Sequence, residues 1–598
     1  MPKKGDLYRF DADAVSTVGR NTTISNLNFE DNKVKSSKRM VSSVFCHIDN
    51  PKVTVMDLQK LMEAGVNVIT MDKFNFTTHD IVKMLEKLKE AAQFCCKKND
   101  VEDWPIATCI ELKTCITRTG FLEGGKDKVF LKKGTEVILT CNKEHINACS
   151  ENQIYVDSLY LTKNVLPGNS VSLRGNEIIV KCIEYIDVFT VKCVVVKEGE
   201  LVNLCILNLK GANYHEPLLM KKDYEILEFA IENKIDSIMV NFPRDVNCLK
   251  EIKKWLKDKD HKPLIITGVA SISGVADFEN IVKEADAVLI PRDLLEFELD
   301  SAHKDHMPRL QTWMTGHCQK IGKQFFVTGG VFDVAVATGT PTNSELFDIA
   351  NALLDGASGF MLKKCINMDN TLQAVIALEK ICRMIEPMIT TTDLFWEVVD
   401  LKEVPVNAAQ AAATSCIASA LVSQAKVIII PTVSGTTIKL LLSLRPSCTV
   451  ITVSTSENVK KQLTIFGHVI PLVYRGSSSK LSFQQSVKAR REFAVEFAVK
   501  KSLMMYGDKY VSLERYNDTS AFCDTVYIWK VELIIKSSIE CPSDPMYYQT
   551  ENYLELIPPN TEQLTFCLAE PARDILTVTK KRKKKPISRV TLIDHREP

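Results

Sequence analysis

From residue 40 onward, short apolar runs alternate with amphipathic helical stretches, and this rhythm constrains the chain more than any other feature. The runs are Met40–Ile48, Val66–Met71, Pro105–Leu112, Ile235–Phe242, Pro263–Val269, Ala285–Ile290, Gln324–Thr328 and Gly359–Leu362. Between them lie segments such as Val55–Ala64 and Ile81–Ala92, whose apolar residues recur at helical spacing. A strand covered on both faces reads as a continuous apolar run, because neither side chain row meets water. Eight such βα units in sequence predict an α/β chain built on a (β/α)8 TIM barrel.

One connection is too long for that scheme. About 120 residues separate Leu112 from Ile235, and Asn176–Tyr185 and Phe189–Glu198 within them read as strands. They predict an inserted β-barrel-like domain leaving the barrel after its third strand, where insertions often act as lids. After Pro387 an Ala-rich helix, Val406–Ala425, leads to an apolar run at Lys426–Ile430. A turn at Thr432–Thr437, a helix at Ile438–Leu444 and a strand at Cys448–Val453 follow. This is the pattern of a doubly wound α/β domain. The expected organisation is an N-terminal extension at 1–39, a barrel at 40–118 and 215–387, and the insert at 119–214. A C-terminal domain at 388–541 and a polar tail at 542–598 complete it.

Charge and cysteine usage exclude some classes. Lys and Arg number 75 against 74 Asp and Glu, so no global field calls for a nucleic acid partner. The 19 cysteines are scattered without a CxxC pair, which argues against a disulfide framework or zinc ribbon and for reduced thiols in the cytoplasm. No signal-peptide core opens the chain, and no apolar run is long enough to span a membrane. The basic cluster Lys580–Lys585 is either a nuclear import signal or a solvated tail.

Several ordered segments carry a resemblance. Gly65–Asp72 (GVNVITMD) resembles the GMNVARLNFSHG segment of pyruvate kinases, and Pro105–Gly120 (PIATCIELKTCITRTG) resembles their PVAVALDTKGPEIRTG. Leu264–Phe278 resembles IKIISKIENHEGVRRF, Asp348–Leu362 (DIANALLDGASGFML) resembles DVANAVLDGADCIML, and Arg445–Val453 resembles a stretch of the C-terminal domain. The resemblance implies a protein that moves phosphoryl from phosphoenolpyruvate to ADP with Mg2+ and K+, usually as a homotetramer.

Residue by residue, however, the implied chemistry is depleted. Phosphoryl transfer depends on cations and metal-holding carboxylates at the strand ends. The phosphate-gripping Arg falls on Thr70, the phosphoryl-stabilising Lys on Gly268 and a strand-seven Thr on Gly329, so no catalytic position is intact. Potassium ligands fall on Asp72 and Phe74, and metal carboxylates on Ala270 and Leu294. A phenylalanine offers no oxygen to a hard cation. After strand eight, Lys364-Cys365-Ile366-Asn367 replaces the family's GETA signature, and the insert's acidic pair is lost at Leu173-Arg174-Gly175-Asn176.

The residual candidates are Lys113 and Arg118 for an acidic ligand, or as braces of the inserted domain, and Glu111, Asp72 and Asp293 for a metal. Glu111 is otherwise a solvated carboxylate at a loop start. Arg244 and Arg292 either hold an anion or hold loops. Thr432, Ser434, Gly435 and Thr437 resemble the family's TKSGRS effector loop, which holds a sugar phosphate; the plainer alternative is a capped helix start. Three functions are expected from this: a pseudoenzyme that binds or regulates, within a homo- or hetero-oligomer of pyruvate kinase subunits; a weak kinase with a rearranged site; or a sensor of a sugar phosphate or nucleotide through the C-terminal domain.

Overall fold

A computed structural model describes residues 40–531, apart from 74–75, 100, 102, 113–116, 159, 175, 210–216, 299–304, 390, 403 and 477–481. The N-terminal extension, the tail with Lys580–Lys585, Phe74 and Lys113 lie outside the described residues. The described chain falls into two compact units, divided close to Leu401.

In the first unit eight parallel strands close on themselves: β1 (Ser43–Ile48), β2 (Val68–Asp72), β3 (Ala107–Glu111), β4 (Ser237–Asn241), β5 (Leu264–Gly268), β6 (Ala287–Pro291), β7 (Phe325–Thr328) and β8 (Gly359–Cys365). They match the eight apolar runs. Alternation along each strand sorts its side chains. Val44, Cys46 and Ile48 join the apolar layer shared with the helices, while Phe45 meets Phe326 of β7 at 4.6 Å between ring centroids. The helices obey local rules. Thr54 caps Val55–Glu63 in a capping box with Asp57, and Leu58, Leu61 and Met62 form its buried stripe.

The insert is a seven-stranded sheet and a two-stranded ribbon, Lys128–Leu131 with Gly199–Val202, around its own apolar core. Ile178–Asp187 and Thr190–Lys197 pair antiparallel at its centre. Thr117–Arg118 pairs with Ile206–Leu209, so Arg118 sits on a strand of this sheet, not on the barrel.

The second unit is a five-stranded sheet of β9 (Val427–Pro431), β10 (Thr449–Ser454), β11 (Val469–Val473), β12 (Lys509–Glu514) and β13 (Thr525–Lys530), ordered β11-β10-β9-β12-β13. All neighbours are parallel except the last pair. The Ala-rich helix Ala408–Ser423 packs on β12 and β13, and Phe483–Lys500 packs on β9 and β10. No disulfide forms among the described cysteines, most of which are buried. Among the described residues no helix is long and apolar enough to cross a membrane.

Candidate functional site

The carboxyl ends of β1, β2 and β3 bring three ionisable side chains together. His47, Asp72 and Glu111 share the inward parity of their strands, and the parallel register sets Asp72 beside Glu111 and His47 beside Thr70. Their ligand-type atoms all lie within 4.8 Å of one another. His47 Nε2 is 2.9 Å from Asp72 Oδ2 and 3.4 Å from Asp49 Oδ1. Burial alone would depress the imidazole's pKa, but the Asp49 and Asp72 carboxylates outweigh it and hold the value up at about 10. The two carboxylates thus favour the protonated ring. Glu111 is half-buried and accepts a 2.6 Å hydrogen bond from Asn241 Nδ2, so it is not simply a solvated carboxylate.

Beyond strand three, protein groups occupy the space beside two of the strand ends. Gly268 ends β5 directly beside Asn241, and a Cβ at this position would lie 2.1 Å from Asn241 Oδ1. No side chain, least of all a lysine, fits there without displacing Asn241. Gly329 has φ +77°, and a Cβ on it would fall 2.2 Å from Asp293 Oδ1. Thr328, one residue earlier, donates its hydroxyl to the Met361 carbonyl. Thr70 is a fully buried, uncharged barrel residue.

The charged candidates after β6 are bound within the protein. Arg292 forks onto Asp348 at 2.8 and 2.7 Å and donates through Nε to the Gly329 carbonyl, so it holds loops. Asp293 accepts from Lys363 Nζ at 3.2 Å and from the Leu294 amide. Ala270 and Leu294 are buried and offer no oxygen, so the residues present do not fit the Mg2+ implied by the resemblance. Arg118 donates to the Leu204 carbonyl inside the inserted domain.

In the second unit the turn at Thr432–Thr437 is built differently from an open cradle. The Thr432 hydroxyl accepts from the Gly435 amide, and Thr437 is buried, its hydroxyl accepting from the Cys523 amide. Ser434 and Thr436 bond each other at 3.1 Å and remain exposed. Gly435 has φ +79°, which suits glycine. Beneath the turn lies Arg490, 6 % exposed, which donates to Thr432 O at 3.5 Å and Ser486 O at 3.3 Å. No carboxylate pairs with it among the described residues, and burial pulls its pKa below the usual arginine value.

His47, Asn241, Asp348, Lys363 and Arg490 are absent from the sequence-based candidate set. For His47 a signal existed: it stands at the end of a predicted strand, and alternation from buried Val44 and Cys46 turns it inward. The others act through pairings between distant segments.

Comparison with known proteins agrees with this fold. The family model for the pyruvate kinase barrel domain matches residues 39–366, and that for the pyruvate kinase alpha/beta domain matches 410–528. A pyruvate kinase of Candida albicans is 27 % identical over 508 residues, covering 84 % of this chain and 98 % of that protein. One from Agaricus bisporus is 26 % identical, over 80 % of this chain and 89 % of its own length. One from Schizosaccharomyces pombe is also 26 % identical, over 79 % and 91 %.

Proposed function

Because this chain belongs to the pyruvate kinase family, its strand ends can be read against a phosphoryl-transfer site, and we propose that it is a binding or regulatory member that does not turn over phosphoenolpyruvate and ADP. The observation that carries this reading is Gly268, where Asn241 fills the space a catalytic lysine would need. Losing one preorganised charge-stabilising group costs roughly 10²- to 10³-fold, and losing an essential arginine in phosphoryl transfer roughly 10³- to 10⁵-fold. Such losses do not simply add. Support also comes from Lys363 on Asp293 and Arg292 on Asp348, where internal partners occupy groups that a substrate or metal would otherwise engage. The family is generally oligomeric, and the proposed role is exerted within a homo-oligomer or alongside active subunits.

The test is pyruvate formation from phosphoenolpyruvate and ADP with Mg2+ and K+, measured beside a Glu111→Ala/Asp293→Ala control that reports contaminating host enzyme. Equal, background rates are expected. Turnover that the double substitution abolishes would mean a rearranged, weak kinase and overturn the reading.

Arg490 favours a second reading, a phosphometabolite sensor at Thr432–Thr437. A buried guanidinium with no carboxylate paired to it among the described residues, beneath two exposed hydroxyls, suits a phosphate group. A sugar bisphosphate should raise the melting temperature of the full chain, and Ser434→Ala and Arg490→Met should each reduce that rise. No rise, or one insensitive to both substitutions, removes this reading.

A further inference from the structure

We propose that His47, Asp72 and Glu111 form a binding site for a divalent transition-metal ion, Zn2+ or Co2+ in place of the hard cations of the family. One imidazole nitrogen and two carboxylate oxygens, from the ends of three adjacent strands, lie within 4.8 Å of one another. Tetrahedral ligation at about 2.1 Å sets ligand atoms about 3.4 Å apart, so rotations of the Asp72 and Glu111 side chains close the set. His47 Nε2 and Asp72 Oδ2 are already 2.9 Å apart.

The donor set selects the ion. An imidazole among carboxylates suits Zn2+ or its analogue Co2+, whereas Mg2+ prefers oxygen ligands throughout. His47 is 6 % exposed, its Nδ1 has no partner among the described residues, and its polar engagement runs through Nε2, which faces the carboxylates. Asp49 places a third carboxylate 3.4 Å from the same nitrogen. Three carboxylates beside one imidazole make an anion-rich cluster, which a dication would offset. Asn241, held at 2.6 Å on Glu111, orients that ligand from behind. His47 would ligate through Nε2, giving up to solvent any proton held there. Three protein ligands leave a position for water or an oxyanion.

The inference is independent of pyruvate formation, so its failure and that of the non-catalytic reading are separable. The full chain, stripped with a chelator, would be titrated with Co2+ and followed by visible absorption, with Zn2+ stoichiometry measured by equilibrium dialysis. One ion per chain is expected, without the near-ultraviolet band of thiolate ligation. Binding should weaken by at least about 10- to 100-fold in Glu111→Gln and His47→Gln, and by a similar factor in Asn241→Ala, the range typical of outer-shell changes. Melting curves of the metal-free variants establish that each is folded. A thiolate band, or binding unchanged in Glu111→Gln and His47→Gln, would show that other groups hold the ion; no binding at all would leave the cluster as an ion-paired plug. Any of these results overturns the proposal.

Discussion

Replacing Gly268 by alanine adds a single methyl group, and the structure gives that group nowhere to go. Its position lies 2.1 Å from Asn241 Oδ1 and 3.2 Å from Asn241 Cγ, so the amide must move by more than 1 Å (about van der Waals contact less 2.1 Å). Overpacking a buried site costs about 1–3 kcal/mol. The displaced amide also loses its 2.6 Å bond to the Glu111 carboxylate, a charge-assisted bond worth about 1.5–3 kcal/mol. The lower chain entropy of alanine returns about 0.5–1 kcal/mol. The expected net loss is about 2–5 kcal/mol. Urea unfolding of the wild type, Gly268→Ala, Asn241→Ala and the double variant closes a mutant cycle, with the barrel transition followed by hydrogen exchange of β4 and β5. Asn241→Ala alone should destabilise through the lost Glu111 bond, and adding Gly268→Ala to it should cost little further. A Gly268→Ala protein within about 0.5 kcal/mol of wild type, or additive losses in the double variant, would refute the argument that Asn241 fills the lysine position.

Other expectations test other parts of the molecule. Arg491 and Glu514, 8 % and 7 % exposed, pair at 2.8 Å with the guanidinium 3.9 Å over Trp529. Glu514→Gln leaves a buried cation without its counter-charge and should destabilise the C-terminal unit by about 3–5 kcal/mol, read as earlier urea unfolding around Trp529. Asp348→Ala removes both carboxylate oxygens that Arg292 forks onto, leaving only its bond to Gly329; a loss of about 1–3 kcal/mol and faster amide exchange around Gly329 should follow, and unchanged exchange would argue against a loop-holding role. Burial pushes the Cys205 and Cys523 thiols up to about 11, so they bind protons more tightly folded than unfolded and stay unreactive as thiolates at pH 8. Brief alkylation at pH 8 with mass spectrometry should label half-buried Cys96 before either of them.

The eight apolar runs, the β insert and the C-terminal α/β pattern were legible because strand and helix periodicity is written locally, in residues two to four apart. That Thr70, Ala270 and Leu294 stand where the resemblance implies charged groups was legible too, since each requires only the identity of one residue at one strand end. What replaced them was not. Asp293 reads as a spare carboxylate until Lys363, 70 positions away, is found on it. Gly268 reads as a deletion of charge until the register of β4 and β5 puts Asn241 in its place. His47, Asp72 and Glu111 meet because a closed parallel barrel aligns the ends of three strands separated by two helices. Sequence alone thus determined the fold and which residue types stand at the strand ends of the barrel. Tertiary structure decided what fills that site, because strand register and barrel closure choose partners across distances that no local pattern encodes.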